Sequence, residues 1–96
     1  MKATEVLAAA AATLEQRGQE RDLADGERSM LRAVEAFNEL TQHDLTERDG
    51  WVLLLCLKLS RGYGGKPCAD DWLDAVGYAA LTAESAANQA AGGPSR

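Results

Sequence analysis

Apolar residues recur at intervals of three and four along most of this chain, which is the spacing that places side chains on one face of an α-helix. The pattern predicts four helices: one from about Thr4 to Arg17, a second ending near Gln42, a third beginning after Thr46 and a fourth from about Asp70. No segment shows the alternation of apolar and polar residues that is typical of a strand. Because the connections between the later helices are short, neighbouring helices are expected to run antiparallel. We therefore predict an all-α fold, a small four-helix antiparallel bundle.

Residues that start and stop helices mark the predicted boundaries. Gly18 is expected to end the first helix, and Asp25 or Ser29 to cap the second. Thr46 is followed three residues later by Asp49, which predicts a capping box at the start of the third helix.

The third predicted helix is apolar on nearly every side between Trp51 and Leu59. We therefore expect it to be the central, buried helix, with Cys56 as a small buried residue. The glycine-rich run from Gly62 to Pro67 is expected to break this helix, and Asp70 is expected to cap the fourth.

Length and charge limit what the domain can be. The chain has 96 residues and a net charge of −5. A chain of this size buries only about 60% of the surface that its unfolded state exposes, so we expect oligomerisation to complete the bundle. We predict one helical domain over residues 1–89 and a disordered tail over residues 90–96. The acidic balance argues against long nucleic acid as a partner, because phosphate backbones are bound by basic surfaces.

Cysteine content and hydropathy bear on the location of the protein. Cys56 and Cys68 are the only cysteines, and their spacing forms neither a zinc site nor a disulfide framework, so a reducing compartment fits best. Glu5 and Glu15 interrupt the alanine-rich first segment, which is therefore not expected to be a signal peptide. The run from Val52 to Leu57 is too short to span a bilayer. We expect a cytoplasmic protein without a membrane partner.

The candidate site lies where the third and fourth predicted helices meet. Lys58 and Arg61 are three residues apart near the end of the third helix, and Asp71, Asp74 and Tyr78 follow one stripe of the fourth. If the two helices form a hairpin, the cations and the carboxylates reach the same end. We expect a solvent-accessible hollow there, with Lys58 and Arg61 binding phosphate and the other three residues orienting them or contacting the ligand.

Each part of this site also has an explanation without a ligand. Cations at the end of a helix and acids at the start of one complement the helix dipole. Lys58 and Arg61 are equally able to pair with Asp71 and Asp74 across the hairpin. Trp72 suits packing, although a tryptophan beside basic residues is also able to stack on a base.

Two further arginines are candidates for phosphate contact. Arg21 and Arg28 lie in a polar connection rich in charge, which is either a solvated loop or a lid over the charged end of the hairpin. His43 is the only histidine and lies in a predicted turn without companions, so no catalytic role is expected for it.

From Arg21 to Glu84 the chain resembles a family of small phage and prophage proteins without an assigned function. The resemblance covers about two thirds of the protein, and the residues that carry it are Glu27-Arg28-Ser29-Met30, Ala36-Phe37-Asn38, Asp49-Gly50-Trp51, Lys58-Leu59-Ser60-Arg61, Asp70-Asp71, Asp74 and Tyr78-Ala79-Ala80-Leu81. The last helix is in turn similar to that of the MazG-like all-α nucleoside triphosphate pyrophosphohydrolases. This resemblance implies a MazG-like bundle in the cytoplasm of an infected or lysogenic bacterium.

The MazG-like enzymes hold Mg²⁺ with a Glu-x-x-Glu pair on one helix and a Glu-x-x-Asp pair on another. Asp71 and Asp74 occupy the second pair's positions here, and Asp70 is a third carboxylate available to a metal. The first pair is missing, because the second helix carries Glu35 and Glu39, four residues apart. The central helix carries cations instead, which argues against two-metal hydrolysis.

Three functions remain open at this point. The first is an accessory phage protein that binds a nucleotide or a nucleotide-derived signal without a cofactor or turnover, and withholds it from host defence. The second is a reduced MazG-like hydrolase in which Asp70, Asp71 and Asp74 hold one Mg²⁺. The third is a structural interaction module whose charged residues only hold the hairpin together. In each case the chain is expected to associate with itself.

Overall fold

The computed structural model describes residues 1–21 and 29–92. These residues form four α-helices and no strand, which confirms the all-α prediction. The helices are α1 (Ala3–Arg21), α2 (Ser29–Thr41), α3 (Glu47–Gly64) and α4 (Ala69–Ala90). The predicted disordered tail begins at the end of α4, and most of it lies outside the described residues.

The hairpin of α3 and α4 is the centre of the molecule. Lys58 lies opposite Asp74, and Trp51, two turns earlier, lies opposite Tyr78, so the two helices run antiparallel. Helix α1 packs on α4 and helix α2 packs on α3. Within the described residues α1 and α2 do not contact each other, so the four helices form an open arrangement around the hairpin.

Helix α1 is longer than predicted. The expected end at Gly18 is wrong, because the helix continues to Arg21. A glycine inside a helix costs only about 1 kcal/mol, and the residues that follow it here, Gln-Glu-Arg, are good helix formers. Leu14 packs against α4 at Gly77, where an added Cβ would lie 3.7 Å from the leucine side chain.

The connection between α2 and α3 is held by side-chain hydrogen bonds. The predicted capping box is present: the Asp49 N–H donates to the Thr46 hydroxyl at 3.1 Å, and the Thr46 N–H donates to the Asp49 carboxylate at 2.8 Å. Asn38, which is buried, donates to the Leu45 carbonyl and accepts from the Leu45 N–H. The side-chain nitrogen and oxygen of Asn38 thereby both bind the backbone of Leu45, which fixes the turn after α2. Gln42 adopts a φ of 60° in this turn.

Helix α3 is central, but it is not buried. Gly50 is its only buried residue, and Cys56, predicted to be buried, is exposed. The prediction failed because an apolar residue on every side shows only that a helix is able to pack on every side, whereas α2 and α4 cover just two of them. The buried apolar residues of the described chain are few and mostly small: Ala10, Leu31, Val34 and Ala75.

The turn between α3 and α4 also differs from the prediction. The helix is not broken at Gly62 but continues to Gly64, and the Gly65 N–H donates to the Arg61 carbonyl at 2.9 Å. Helix α4 begins at Ala69, with Cys68 at the N-cap position, so the prediction of Asp70 as the cap is wrong. The Cys68 side chain makes no capping hydrogen bond. Within the described ranges, no helix is long and apolar enough to cross a membrane.

Candidate functional site

Three charged side chains meet between α3 and α4, and we call Lys58, Asp71 and Asp74 the charge cluster. The Lys58 Nζ lies 3.0 Å from the Asp74 Oδ2 and 3.9 Å from the Asp71 Oδ1. The first distance allows a hydrogen bond, while the second is that of an ion pair only. The three side chains are 16%, 13% and 15% exposed, in the order Lys58, Asp71, Asp74.

The positions of these residues follow from helix geometry. Asp71 and Asp74 are three residues apart on α4, so their carboxylates share one face. Lys58 lies on the side of α3 that packs against this face. The expected meeting of the positive end of α3 with the negative start of α4 is therefore present. The ammonium is already bound to carboxylates, so these three side chains close on each other instead of leaving an open hollow.

The charge of Lys58 is stabilised by its neighbours. The hydrogen bond to Asp74 raises the pKa of the lysine, and burial of the side chain opposes this effect. The negative charge of Asp74 and the neighbouring Tyr78 also raise this pKa, whereas the positive charge of Arg61 lowers it. The net result is a raised pKa, so Lys58 stays charged beside the two aspartates.

Aromatic side chains stand on both sides of the charge cluster. The Tyr78 ring stacks on Trp51, with 6.1 Å between ring centroids and an interplanar angle of 26°, and the Trp51 Nε1 donates to Glu47 at 3.3 Å. On the other side, Trp72 meets Tyr63 edge to face at 5.8 Å. Both members of this second pair are exposed, Tyr63 at 87% and Trp72 at 44%.

Arg61 is the second predicted phosphate ligand and lies in the last turn of α3. Its side chain is exposed and forms no ion pair with the residues that the structure describes. Asp70, in the first turn of α4, is also exposed and is likewise unpaired within the described ranges. Arg28 and the side chain of Arg21 lie outside the described residues, so their predicted roles stay predictions.

The carboxylates of α2 and α4 belong to different places in the fold. Glu35 and Glu39 border a shallow polar groove whose other members are Asn38, Gln42, His43 and Asp44. Because α2 does not contact α4 in the described chain, these glutamates do not face Asp71 and Asp74. No group of three or more metal-ligating side chains forms among the described residues.

Trp51 also belongs to this site, although its sequence position did not predict it. Its position follows from the register of the hairpin, which the sequence left open: Lys58 lies 3.9 Å from Asp71, and two helical turns in opposite directions lead from this pair to Trp51 and Tyr78. Trp51 and Tyr78 therefore lie on the same faces of α3 and α4 as the charge cluster. Glu47, one turn before Trp51, joins it through the indole N–H.

Comparison with known families assigns the chain to one of them. A profile of the DUF6378 family, described as a domain of unknown function, matches residues 5–86. Since this range includes most of the chain, the protein belongs to that family. No curated protein and no solved structure matches the chain.

Proposed function

We propose that this member of the DUF6378 family binds a phosphorylated, nucleotide-type ligand at the junction of α3 and α4, without hydrolysing it. The observation that carries the proposal is a pair of neighbouring cations, of which one is paired with carboxylates and the other is exposed. Lys58 is held in position by Asp71 and Asp74, whereas Arg61, one turn further along α3, is exposed and unpaired within the described residues.

Both cations are suited to phosphate. The ammonium of Lys58 has three N–H donors and gives one to Asp74, so donors remain for an anion. The guanidinium of Arg61 offers a planar fork that binds phosphate oxygens in pairs. The first N–H groups of α4 lie at the same end of the hairpin, and the residue before them, Cys68, provides no side-chain cap.

The remaining side chains suit the rest of a nucleotide. Trp72 and Tyr63 expose ring surface at the turn that follows Arg61, and exposed aromatic rings beside cations favour base stacking. Asp71 and Asp74 orient Lys58, while Tyr78 lies one turn further along the same stripe of α4 and is placed to contact ribose or base. The resemblance to phage proteins suggests the use: sequestering a nucleotide signal of host defence in the bacterial cytoplasm.

The arrangement supports binding more than MazG-like hydrolysis. Two-metal chemistry needs carboxylates from neighbouring helices to converge on the metals. Here the ammonium of Lys58 lies beside Asp71 and Asp74, and the described residues contain no group of three or more side chains that could hold a metal ion. The glutamates of α2 belong to a helix that does not contact α4 in the described chain.

A second candidate function is a structural interaction module that binds no small ligand. The observation that favours it is the 3.0 Å ion pair between Lys58 and Asp74, which joins α3 to α4 without a bound ligand. In this case the charge cluster contributes only to the geometry of the hairpin.

Calorimetric titration of the full chain with nucleoside triphosphates and with cyclic dinucleotides tests the proposal. We expect saturable heat, and at least about 10-fold weaker binding in Arg61→Ala, because a hydrogen-bonded charge pair contributes about 1.5–3 kcal/mol. Arg32→Ala is the matched control, since Arg32 is an exposed arginine on α2, away from the charge cluster. It should bind like the wild type.

Three results would change the conclusion. Absence of heat with every ligand, at protein concentrations far above micromolar, would leave the structural module. Equal losses in Arg61→Ala and Arg32→Ala would show that any binding is non-specific. Release of pyrophosphate with Mg²⁺, abolished by Asp74→Asn, would establish the hydrolase.

A further inference from the structure

One side of α3 is apolar and uncovered. Its exposed side chains form two neighbouring stripes at helical spacing, and we call them the α3 face: Val52, Leu53, Cys56, Leu57, Leu59 and Tyr63. Leu53 is 68% exposed and Leu57 is 42% exposed. At one end of this face, Tyr63 meets Trp72 of α4 edge to face. A contiguous apolar surface of this kind marks an interaction site in a soluble protein.

The accessible surface of the chain supports association. It measures 6,791 Å², whereas about 5,300 Å² is expected for a compact folded protein of 10.2 kDa. The radius of gyration, 14.3 Å, is likewise larger than the value of about 12.5 Å expected at this length. A standard interface covers about 800 Å² on each partner, which is well within the excess of about 1,500 Å².

The charges at the two ends of α3 indicate a second copy in antiparallel orientation. The first turn carries Glu47, Arg48 and Asp49, a net charge of −1, while Arg61 lies in the last turn and Lys66 just beyond it. A parallel pair would place like charges side by side. An antiparallel pair places the acids of each copy beside the cations of the other and opposes the two helix dipoles.

We propose that two copies of the chain associate through the α3 face, with the two α3 helices antiparallel across a twofold axis near the middle of the face. Cys56 lies near this axis, and its small side chain allows the helix backbones to approach. Lys58 points away from the face, because two residues along a helix are about 200° apart. The dimer therefore leaves the charge cluster outside the interface, and Arg61 and Tyr63 are the residues that the interface shares with the proposed ligand site.

The mass of the full chain in solution is the first test. Sedimentation equilibrium at tens of micromolar should give about 20 kDa, twice the 10.2 kDa of one chain. Leu53→Glu should yield the mass of one chain, with association at least about 100-fold weaker, because it buries an unpaired carboxylate in each half of the interface.

A matched variant separates the α3 face from general hydrophobicity. Leu40 on α2 is 84% exposed and lies outside the face, so Leu40→Glu should leave the dimer intact. A wild-type mass of one chain at every concentration overturns the proposal, and so does a dimer that persists in Leu53→Glu. Circular dichroism confirms that both variants retain their helices.

The two cysteines report on the same interface. Both Cys56 and Cys68 are exposed in the single chain, but only Cys56 lies on the α3 face. At concentrations well above the dissociation constant, Cys56 in a Cys68→Ser background should react with a maleimide at least about 10-fold more slowly than Cys68 in a Cys56→Ser background. This protection should disappear when Leu53→Glu is added. Equal rates in the wild-type interface, or protection that survives Leu53→Glu, contradict the proposal.

Discussion

Lys58 shows how one residue determines the chemistry of a helix junction. It interrupts an otherwise apolar stretch of α3, and burying an unpaired ammonium is costly. The structure resolves this cost with a 3.0 Å hydrogen bond to Asp74 and a longer ion pair to Asp71. The same contacts that hold the hairpin also keep the lysine charged and oriented.

The raised pKa of Lys58 predicts how stability depends on pH. A folded-state pKa above the ordinary value of 10.5 means that the stabilisation is fully present below that value. It is lost as pH rises through the raised pKa, because the neutral amine no longer attracts the aspartates. Between pH 9 and 12, the free energy of unfolding measured in urea should therefore fall more steeply for the wild type than for Lys58→Met.

Lys66→Met is the control for this measurement, since Lys66 is exposed and forms no ion pair with a described residue. Its pH profile should run parallel to that of the wild type. Parallel profiles for Lys58→Met and the wild type would show that the charge cluster does not contribute to stability.

At the level of elements, the contact between α2 and α3 depends on the absence of a side chain at Gly50. A Cβ added there would lie 3.0 Å from the Val34 Cγ2 and would overlap the side chain of Met30. Valine is branched at Cβ and adjusts poorly inside a helix. A side chain at this position would therefore require Met30 and Val34 to move.

Substituting this glycine should separate packing from helix propensity. Gly50→Ala gains up to about 1 kcal/mol of propensity but overpacks a contact that costs about 1–3 kcal/mol, so we expect a net loss in the free energy of unfolding. Gly64→Ala in the same helix meets nothing within 4 Å and should be neutral or stabilising. Chemical denaturation of both variants checks the prediction. A stabilised Gly50→Ala would show that Met30 and Val34 make room at little cost.

The bounds of the helices could be predicted from the sequence where contacts between neighbouring residues determine them. They could be predicted less well where packing between helices determines them. The capping box of Thr46 and Asp49 follows from two residues at a fixed spacing. The continuation of α3 past Gly62 does not, because it goes together with a tertiary contact: a Cβ at Gly62 would lie 2.7 Å from the ring of Trp72. The pairing of Lys58 with Asp74 was one of the alternatives that the sequence left open. Its selection required the register between α3 and α4.

At the scale of the whole molecule, the small core is the dominant feature. The buried apolar residues of the described chain are mostly alanine and valine, and none of them is completely buried. Exposed leucines on α3 mean that apolar area remains uncovered in a single chain. The length of the sequence indicated that the apolar core would be small. The apolar residues on every side of α3 did not show which side would stay exposed to solvent.

Stability should consequently depend on protein concentration. If the dimer is the stable form, each tenfold increase in concentration adds about 1.4 kcal/mol per dimer and should raise Tm by about 3 °C. Leu53→Glu should show no such dependence. A wild-type Tm that is constant over a hundredfold range of concentration would indicate that the single chain carries its own stability.

The side chain that pairs with Asp71 and Asp74 also determines how the hairpin responds to its ionic surroundings. Because the cation is the side chain of Lys58, its presence does not depend on the concentration of ions in the surroundings. Depletion of free divalent ions by a chelator would leave this junction of the hairpin intact.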